Sequence, residues 1–339
     1  MILIDLRSDT VTRPTPAMRE AMLSAAVGDD VWGDDPTVLE LQEKLAVLSG
    51  KETGLFLPTG TQSNLAALMA HCERGDEYIV GQLAHTYKYE GGGAAVLGSI
   101  VPQPIENEPD GSLPLTKIAA AIKHHGPGLG AHFARTRLLT LENTFNGQVV
   151  PCDYLKAATD LAHHRGLATH LDGARVFNAV VAQGITLAEA CAGFDSVSIC
   201  LSKGLGAPVG SVLVGSSMLI ERAYRWRKIL GGGMRQSGIL AAAGLYALEH
   251  NISRLANDHA NAKALADGLA ALDIPARHAT NMVFATFPEA HCEPLEAYLT
   301  ERRMLASITP ESRFVTHLDV TPEAITAFVA PIADYFATH

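Results

Sequence analysis

Two short segments contain the residues best suited to chemistry. The first runs from Thr169 to Arg175 and the second from Ser198 to Gly206. In each, an apolar run changes abruptly to a charged residue followed by glycine, Asp172 in the first and Lys203 in the second. A lysine amine forms a Schiff base with the aldehyde of pyridoxal phosphate, and an aspartate keeps the pyridine nitrogen protonated so that the ring accepts electrons. The pair therefore predicts a pyridoxal 5'-phosphate site.

Each of these residues also has a purely structural interpretation. Lys203 could lie at a strand end with its charged head in solvent, and Asp172 could cap a helix that begins near Ala174. Arg175 could reach back to the phenolic oxygen of the cofactor or to a substrate carboxylate, or it could lie in solvent. Because an unpaired buried carboxylate is costly and a buried lysine is readily nucleophilic, the two together favour the cofactor site.

A third segment, Leu57–Asn64, is typical of a strand, a tight turn and the start of a helix. Thr59, Gly60 and Thr61 would offer backbone N–H groups and two hydroxyls to a phosphate, although an ordinary turn and helix cap has the same sequence. The Gly-Lys-Ser/Thr element of a P-loop is missing, and no G-x-G-x-x-G follows a strand, which argues against a dinucleotide cofactor.

His85 follows a strand-like run and could stack on the pyridine ring, with a structural histidine as the alternative. His132 belongs to no motif of its own. The glycine-rich run Gly231–Gly238 could be a flexible turn, or it could let backbone approach an anion, with Lys228 and Arg235 supplying positive charge.

Short apolar runs alternate with helical stretches over most of the chain. The predicted strands are Leu55–Leu57, Tyr78–Val80, Leu138–Leu141, Ala168–Leu171, Ser196–Cys200 and Ser211–Val214. The predicted helices between them include Asn64–Cys72, Cys152–Arg165 and Leu187–Ala192. This alternation predicts an α/β domain with a mainly parallel sheet. Polar residues that follow the strands then meet in one crevice at their carboxyl ends: Thr59, His85, Glu142, Asn143, Asp172 and Lys203.

The pattern changes from about residue 251. A long predicted helix, Ile252–Ala271, leads into short strands around Met282–Phe287 and Phe314–His317, and a last helix begins at Pro322. We therefore expect an N-terminal segment and a large cofactor-binding domain in residues 1–250 and a small α+β domain in residues 251–339.

Composition narrows the class of protein. The 339 residues are 47% hydrophobic, and the net charge of −10 argues against nucleic acid and anionic membranes as partners. The five cysteines form no C-x-x-C pair, which is typical of free thiols in a reducing cytosol. The N-terminus turns polar too early for a signal peptide, and no apolar stretch is long enough for a membrane span. We expect a cytoplasmic protein, and we assign no metal ligands.

Taken together, the motifs resemble those of the low-specificity L-threonine aldolases, pyridoxal-phosphate enzymes with the aspartate aminotransferase-like fold (fold type I). The matching segments extend from residue 5 to about residue 320 and are Asp5–Thr12, Val27–Pro36, Leu57–Thr61, Ala84-His85, Glu142–Thr144, His170–Arg175, Leu201–Gly206, Gly231–Ser237 and Arg313–His317. The resemblance implies cleavage of L-threonine, L-allo-threonine and other β-hydroxy-α-amino acids to glycine and an aldehyde such as acetaldehyde. Glycine biosynthesis and threonine catabolism are the implied setting.

The resemblance also implies a role for each matching residue. Lys203 would be the Schiff-base lysine, Asp172 the partner of the ring nitrogen, and His85 the residue stacked on the ring. The phosphate would be held by Gly60 and Thr61, next to Thr59.

Other implied roles concern the substrate and the assembly. The substrate carboxylate would be bound by Ser8, Arg175 and Arg313, with His132 near the substrate hydroxyl. Arg235 and Lys228 would reach a phosphate across a subunit interface, because the family is implied to form dimers paired into homotetramers with shared active sites.

Two positions depart from the family pattern. Phe145 replaces the histidine of the usual E-N-T-H-N segment, so no catalytic base is assigned there. His132, or a water that it or His85 orients, is the candidate base. Trp32 replaces a tyrosine, which keeps an aromatic wall but removes a hydroxyl.

Two other functions are compatible with the residues. One is another pyridoxal-phosphate reaction on the same fold, a β-elimination or a transamination, because the outcome depends on which Cα bond lies perpendicular to the ring. The other is a non-catalytic α/β binding protein, which would stay colourless when the cofactor is added.

Overall fold

The predicted alternation of strands and helices is present in the computed structural model, which describes residues 4–124 and 126–338. Residues 1–3 and 339, at the outer limits of the two predicted domains, and residue 125 lie outside the described residues. The strands are β1 (Ile4–Asp5), β2 (Thr53–Leu57), β3 (Asp76–Gly81), β4 (Val101–Ile105), β5 (Arg135–Glu142), β6 (Ala168–Gly173), β7 (Ser196–Cys200), β8 (Ser211–Gly215), β9 (Ala276–Ala279), β10 (Met282–Thr286), β11 (Met304–Leu305) and β12 (Glu311–Val315).

The α-helices of the described residues lie between and after these strands. They are α1 (Pro16–Leu23), α2 (Pro36–Ser49), α3 (Gly60–His71), α4 (His85–Lys88), α5 (Gly93–Val96), α6 (Leu115–Ala121), α7 (Cys152–His164), α8 (Val176–Gln183), α9 (Leu187–Ala190), α10 (Ser217–Ile229), α11 (Gly238–His250), α12 (Leu255–Ala270), α13 (Glu289–Glu301) and α14 (Pro322–Thr338). None of these helices is long and apolar enough to cross a membrane.

The main sheet has seven strands in the order β2-β8-β7-β6-β5-β3-β4. The strands β7, β6, β5, β3 and β4 are parallel to one another, whereas β8 is antiparallel to both β7 and β2. The mainly parallel sheet expected from the sequence is therefore confirmed. All five residues of β7 are buried, as expected for a parallel strand covered on both faces.

Helices cover both faces of this sheet. Leu55 and Leu213 pack with Ala66 of α3, which lies beside α10. Leu139 and Val197 belong to the main core cluster, which is formed with helices α2, α7, α8 and α11. Two helical layers thus bury the strands and leave their carboxyl ends open to form a site.

A second core lies around the three-stranded antiparallel sheet β12-β10-β9. Phe314 and Phe328 are fully buried there, with helices α12, α13 and α14 packed around them. The strand β1 pairs in parallel with β11, so that Ile4 and Leu6 join this second core. The N-terminal residues are thereby held beside the C-terminal part of the chain.

The sequence prediction missed some elements and misplaced some ends. The strand β4 contains Pro102 and Pro104, which are tolerated because it lies at the sheet edge. The helix expected near Ala174 begins at Val176, and the strand expected at Phe314–His317 is β12, which ends at Val315.

Candidate active site

Asp172 lies at the carboxyl end of β6, between Glu142 of β5 and Ser198 of β7, and only 2% of it is exposed. Its Oδ1 accepts a hydrogen bond from the Ala174 backbone N–H at 3.0 Å, and its Oδ2 accepts one from Asn64 Nδ2 at 2.9 Å. Within the described ranges, no lysine or arginine forms an ion pair with it. A buried carboxylate held only by neutral donors leaves its charge available to a cationic ligand.

The structural alternative for Asp172 is wrong, because Arg175 occupies the N-cap position of α8. The hydrogen bond from Ala174 instead closes a local turn at the strand end. Asp172 therefore lies at the carboxyl end of a central strand and is not a helix cap.

Lys203 follows β7 in a turn that closes with a 2.8 Å hydrogen bond from the Gly206 N–H to the Lys203 carbonyl. Gly206 has a φ of 81°, a conformation that favours glycine. The lysine is half-buried and lines a small cavity with Arg175. Among residues 4–124 and 126–338, no carboxylate is ion-paired with its amine. The amine is thus available to an aldehyde.

The N-terminus of α3 is suited to an anion. Thr59 caps it, because its hydroxyl oxygen accepts a 3.1 Å hydrogen bond from the Gln62 N–H. The N–H groups of Gly60 and Thr61 have no acceptor within the helix. Ser211 Oγ is buried without a hydrogen-bond partner in the described residues, and a Cβ added at Gly60 would lie 3.4 Å from it. These donors and the positive helix end fit a phosphate group.

His85 begins α4, and its backbone N–H donates to Glu142 Oε2 at 2.9 Å. Its Nδ1 is 3.0 Å from Glu90 Oε1, and this hydrogen bond raises the pKa of His85. One ligand atom each of His85, Glu90 and Asp172 lies within 4.8 Å of the other two. The imidazole is therefore oriented beside Asp172, where a ring held by that carboxylate would lie.

Sequence reasoning missed Glu90 and left Glu142 without a role. Burial and the nearby charge of Asp172 raise the pKa of Glu142 to about 7, and burial also raises the pKa of Glu90. Glu142 follows an apolar run at a strand end, as Asp172 does, so the same signal identifies it. Glu90 follows the short helix α4, and only its contacts with His85 and Asn64 reveal it.

Arg175 is bound by Asp9, a second residue that sequence reasoning missed. Its Nε and Nη2 donate to Asp9 Oδ2 and Oδ1 at 2.8 and 2.6 Å, and Asn281 Nδ2 donates to Oδ2 at 3.2 Å. Burial alone would raise the pKa of Asp9, but the charges of Arg175 and Lys203 lower it to about 2. Two of the five Arg175 donors are thus committed to Asp9, which leaves the others for a ligand.

Ser8 directly precedes Asp9, and Arg313 is close enough to feel the charges of both Arg175 and Asp9. Ser8 Oγ accepts hydrogen bonds from the N–H and hydroxyl of Thr10 at 3.2 and 2.9 Å, which leaves its own hydroxyl hydrogen for another acceptor. Partial burial and the nearby charge of Arg175 lower the pKa of Arg313. The arrangement of two arginines and a hydroxyl fits a carboxylate.

The other predicted site residues lie apart from this cluster. His132 is exposed at the end of a short 3-10 helix, Gly128–His132, and in the described residues it has no hydrogen bond or ion pair to the cluster. Lys228 is exposed, and exposed Arg235 pairs with Asp29 at 3.0 Å. A Cβ at Gly232 would lie 1.7 Å from Gln62 Oε1, so the glycine-rich run packs closely on the first turn of α3.

The two positions that depart from the family pattern have different surroundings. Phe145 is 5% exposed and belongs to the main core. A Cβ added at Gly111 would lie only 2.3 Å from the Cβ of Phe145. Trp32 is 81% exposed on the loop before α2. Phe145 is thus a packing residue, whereas Trp32 presents an uncovered aromatic surface.

Comparisons with known proteins agree on one family. A model of the β-eliminating lyase family matches residues 5–290. The chain is 58% identical over 330 residues to the low specificity L-threonine aldolase of Escherichia coli K12, covering 97% of this chain and 98% of that protein. It is 46% identical over 294 residues to a probable low-specificity L-threonine aldolase 2 of Arabidopsis thaliana, covering 84% and 82%.

A solved structure of a Leishmania major threonine aldolase superposes with a TM-score of 0.83 at 21% identity, covering 98% of this chain and 99% of that one. At that identity the likeness shows the fold alone. The fold class expected from the sequence, α/β of the aspartate aminotransferase type (fold type I), is confirmed.

Proposed function

Because the chain belongs to the β-eliminating lyase family, and within it to the low-specificity L-threonine aldolases, we propose that it cleaves L-threonine and L-allo-threonine to glycine and acetaldehyde with pyridoxal 5'-phosphate. The observation that best supports this reaction is the 58% identity, over 97% of the chain, to the low specificity L-threonine aldolase of Escherichia coli K12. Other β-hydroxy-α-amino acids would yield glycine and the corresponding aldehyde.

The site supports this cofactor through the chemistry of its donor set. Lys203 would hold the aldehyde carbon, Asp172 the ring nitrogen and His85 one face of the ring. The phosphate would lie at the N-terminus of α3, against Gly60 and Thr61. When bound, pyridoxal phosphate accepts the electron pair released as the Cα–Cβ bond breaks.

The remaining residues orient the substrate and move its proton. Arg313, Ser8 and the free donors of Arg175 would bind the substrate carboxylate and thereby set which Cα bond faces the ring. The hydroxyl proton would leave to His132 or to a water that His132 or His85 orients. His132 is exposed and lies apart from the cluster, whereas His85 is held within it. The geometry of the single chain therefore favours a water oriented by His85 as the proton acceptor.

The assembly and setting belong to the same proposal. A homotetramer, built as a dimer of dimers, would bring Lys228, Arg235 and Trp32 against a neighbouring subunit's site; all three are exposed in the single chain. We place the enzyme in the cytoplasm, in glycine biosynthesis and threonine catabolism, and keep the division into residues 1–250 and 251–339 as the proposed domain organisation.

The test is the product formed by the purified holoenzyme from each threonine stereoisomer. Acetaldehyde and glycine from L-threonine and L-allo-threonine are expected. Release of 2-oxobutyrate and ammonia instead would favour the alternative, another β-eliminating lyase or aminotransferase of this fold. A protein that stays colourless after addition of the cofactor would favour a binding protein.

Lys203→Ala should abolish nearly all turnover and the visible absorbance of the bound cofactor, because it removes the amine that holds the cofactor. Lys156→Ala, in an exposed residue of α7 that pairs with Asp160 on the same helix, is the matched control for the absorbance. An alanine variant at position 203 with wild-type absorbance and turnover would remove this lysine from the mechanism.

A further inference from the structure

We propose that a buried chain of four hydrogen bonds orients the carboxylate of Asp172 toward the ring nitrogen of the cofactor. Its members, in order from that carboxylate, are Asn64, His170, Ser196 and His71. They touch neither cofactor nor substrate and are positioning residues. The inference rests on the cofactor site proposed above and extends it to residues on α3, β6 and β7.

The chain of hydrogen bonds is continuous from Asp172 to His71. Asn64 Nδ2 donates to Asp172 Oδ2 at 2.9 Å, and Asn64 Oδ1 is 3.1 Å from His170 Nε2. The other ring nitrogen of His170 is 2.8 Å from Ser196 Oγ, which is also 2.8 Å from His71 Nε2. His170 and Ser196 are fully buried, and Asn64 is 2% exposed. Water therefore does not replace any of the inner bonds.

The chemistry of each group sets the direction of the donors. An amide oxygen only accepts, so His170 must carry its proton on Nε2 to donate to Asn64. His170 Nδ1 then has a lone pair and accepts the hydroxyl hydrogen of Ser196. The lone pairs of that hydroxyl accept the N–H of His71 Nε2. Every bond therefore donates toward Asp172.

Both histidines are suited to this arrangement because they are neutral. Burial lowers the pKa of His170 to about 3 and that of His71 to about 4. A neutral imidazole has one N–H and one lone pair, and His170 needs both, to donate to Asn64 and to accept from Ser196. His71 ends the chain and needs only its Nε2 N–H. A protonated His170 would have no lone pair for Ser196.

The chain acts on Asp172 in two ways. Hydrogen bonds aligned in one direction polarise one another, which strengthens the bond that reaches the carboxylate. The second N–H of the Asn64 amide donates to Glu90 Oε1 at 2.9 Å, so the amide plane is held at both ends. With the Ala174 N–H on Oδ1, the carboxylate has one orientation and stays an acceptor for a protonated ring nitrogen.

The decisive test compares pyridoxal phosphate with an analogue whose ring nitrogen is replaced by C–H. Ser196→Ala removes the hydroxyl between the two histidines. Ser198→Ala is the matched control, because Ser198 is buried on the same strand and bonds to Ser63 instead, at 2.7 Å. Dissociation constants of both ligands are measured for the wild type and both variants by titration of cofactor-depleted protein.

Ser196→Ala should weaken pyridoxal phosphate binding roughly 3- to 10-fold and leave the analogue within about twofold, because the chain acts only through the ring nitrogen. Ser198→Ala should not change the ratio of the two constants. Equal losses for both ligands in Ser196→Ala would overturn the proposal and indicate a packing role. Failure of the wild type to bind either ligand would instead overturn the proposed function.

A second measurement observes the protonation of the two histidines directly. In holoenzyme with ¹⁵N-labelled histidine, the nitrogen shifts should show His170 and His71 neutral and protonated at Nε2, and His170→Gln should identify the His170 signals. His170 protonated at Nδ1 would contradict the direction of the chain. His170→Gln keeps a donor for Asn64 and should retain more pyridoxal phosphate affinity than His170→Phe.

Discussion

Asp9 and Asp172 are both buried near the proposed cofactor site, but their partners differ in charge. Asp9 is held by a two-point ion pair with Arg175 and by Asn281. Asp172 receives only neutral donors, a backbone N–H and an amide. The charge of Asp9 is balanced within the chain, whereas that of Asp172 is left for a ligand. A buried carboxylate without a cation is thus a stronger sign of a binding role than burial alone.

The largest expected effect is a loss of turnover on substitution of Asp172. Asp172→Asn should lower the turnover of L-threonine by about 100- to 1,000-fold, because an amide cannot stabilise a protonated ring nitrogen. The free energy of unfolding of the cofactor-free protein should fall less than in Asp9→Asn, since an unbalanced charge is removed. Steady-state kinetics and urea unfolding measure the two quantities. Turnover within tenfold of the wild type would contradict the comparison.

Asp9→Asn should act mainly on stability. It leaves the buried guanidinium of Arg175 without its counter-charge, which lowers the free energy of unfolding by about 3–5 kcal/mol. Asp29→Asn is the control, because its pair with exposed Arg235 should contribute less than about 1 kcal/mol. If both variants unfold at the same urea concentration, the Asp9 pair is no more important than a surface pair.

The pH dependence of stability gives a smaller effect. The pKa of Asp9 is about 2 in the folded protein against an ordinary value of 3.8, so the folded state favours the ionised form. This contribution is fully present above pH 3.8 and is lost as the pH falls toward 2, by about 2 kcal/mol. The difference between wild type and Asp9→Asn in unfolding free energy should shrink over that range. A difference independent of pH would exclude this titration.

Sequence patterns were sufficient for the residues that end buried strands. Asp172 and Glu142 each follow an apolar run, and the sheet places them side by side. The apolar runs did not predict the order and directions of the strands. β8 resembles the parallel strands in composition, yet it is antiparallel to both of its neighbours, β7 and β2. Its direction depends on the tight turn after Lys203, which returns the chain along β7.

The partners of the site residues were beyond sequence reasoning. Asp9 and Arg175 are 166 positions apart, and Asn64 and Asp172 are 108 apart. Each pairing needs the tertiary fold, and a lone asparagine on a helix has no feature that marks it as a partner for a distant carboxylate. His132 was predicted as a site residue only from the family resemblance. No pattern in the local sequence indicates that its side chain is exposed.

The pairing of β1 with β11 has a consequence for the order of synthesis. Ile4 and Asp5 are translated before all strands of the main sheet, whereas the strand that binds them, Met304–Leu305, is translated after all of those strands. Asp9 is likewise translated before Asn281, whose amide donates a hydrogen bond to it. Until Met304 and Leu305 are made, the strand at Ile4–Asp5 therefore lacks the neighbour with which it pairs. A nascent chain released before Met304 would contain Lys203 and Asp172 but would lack the strand that secures its own beginning.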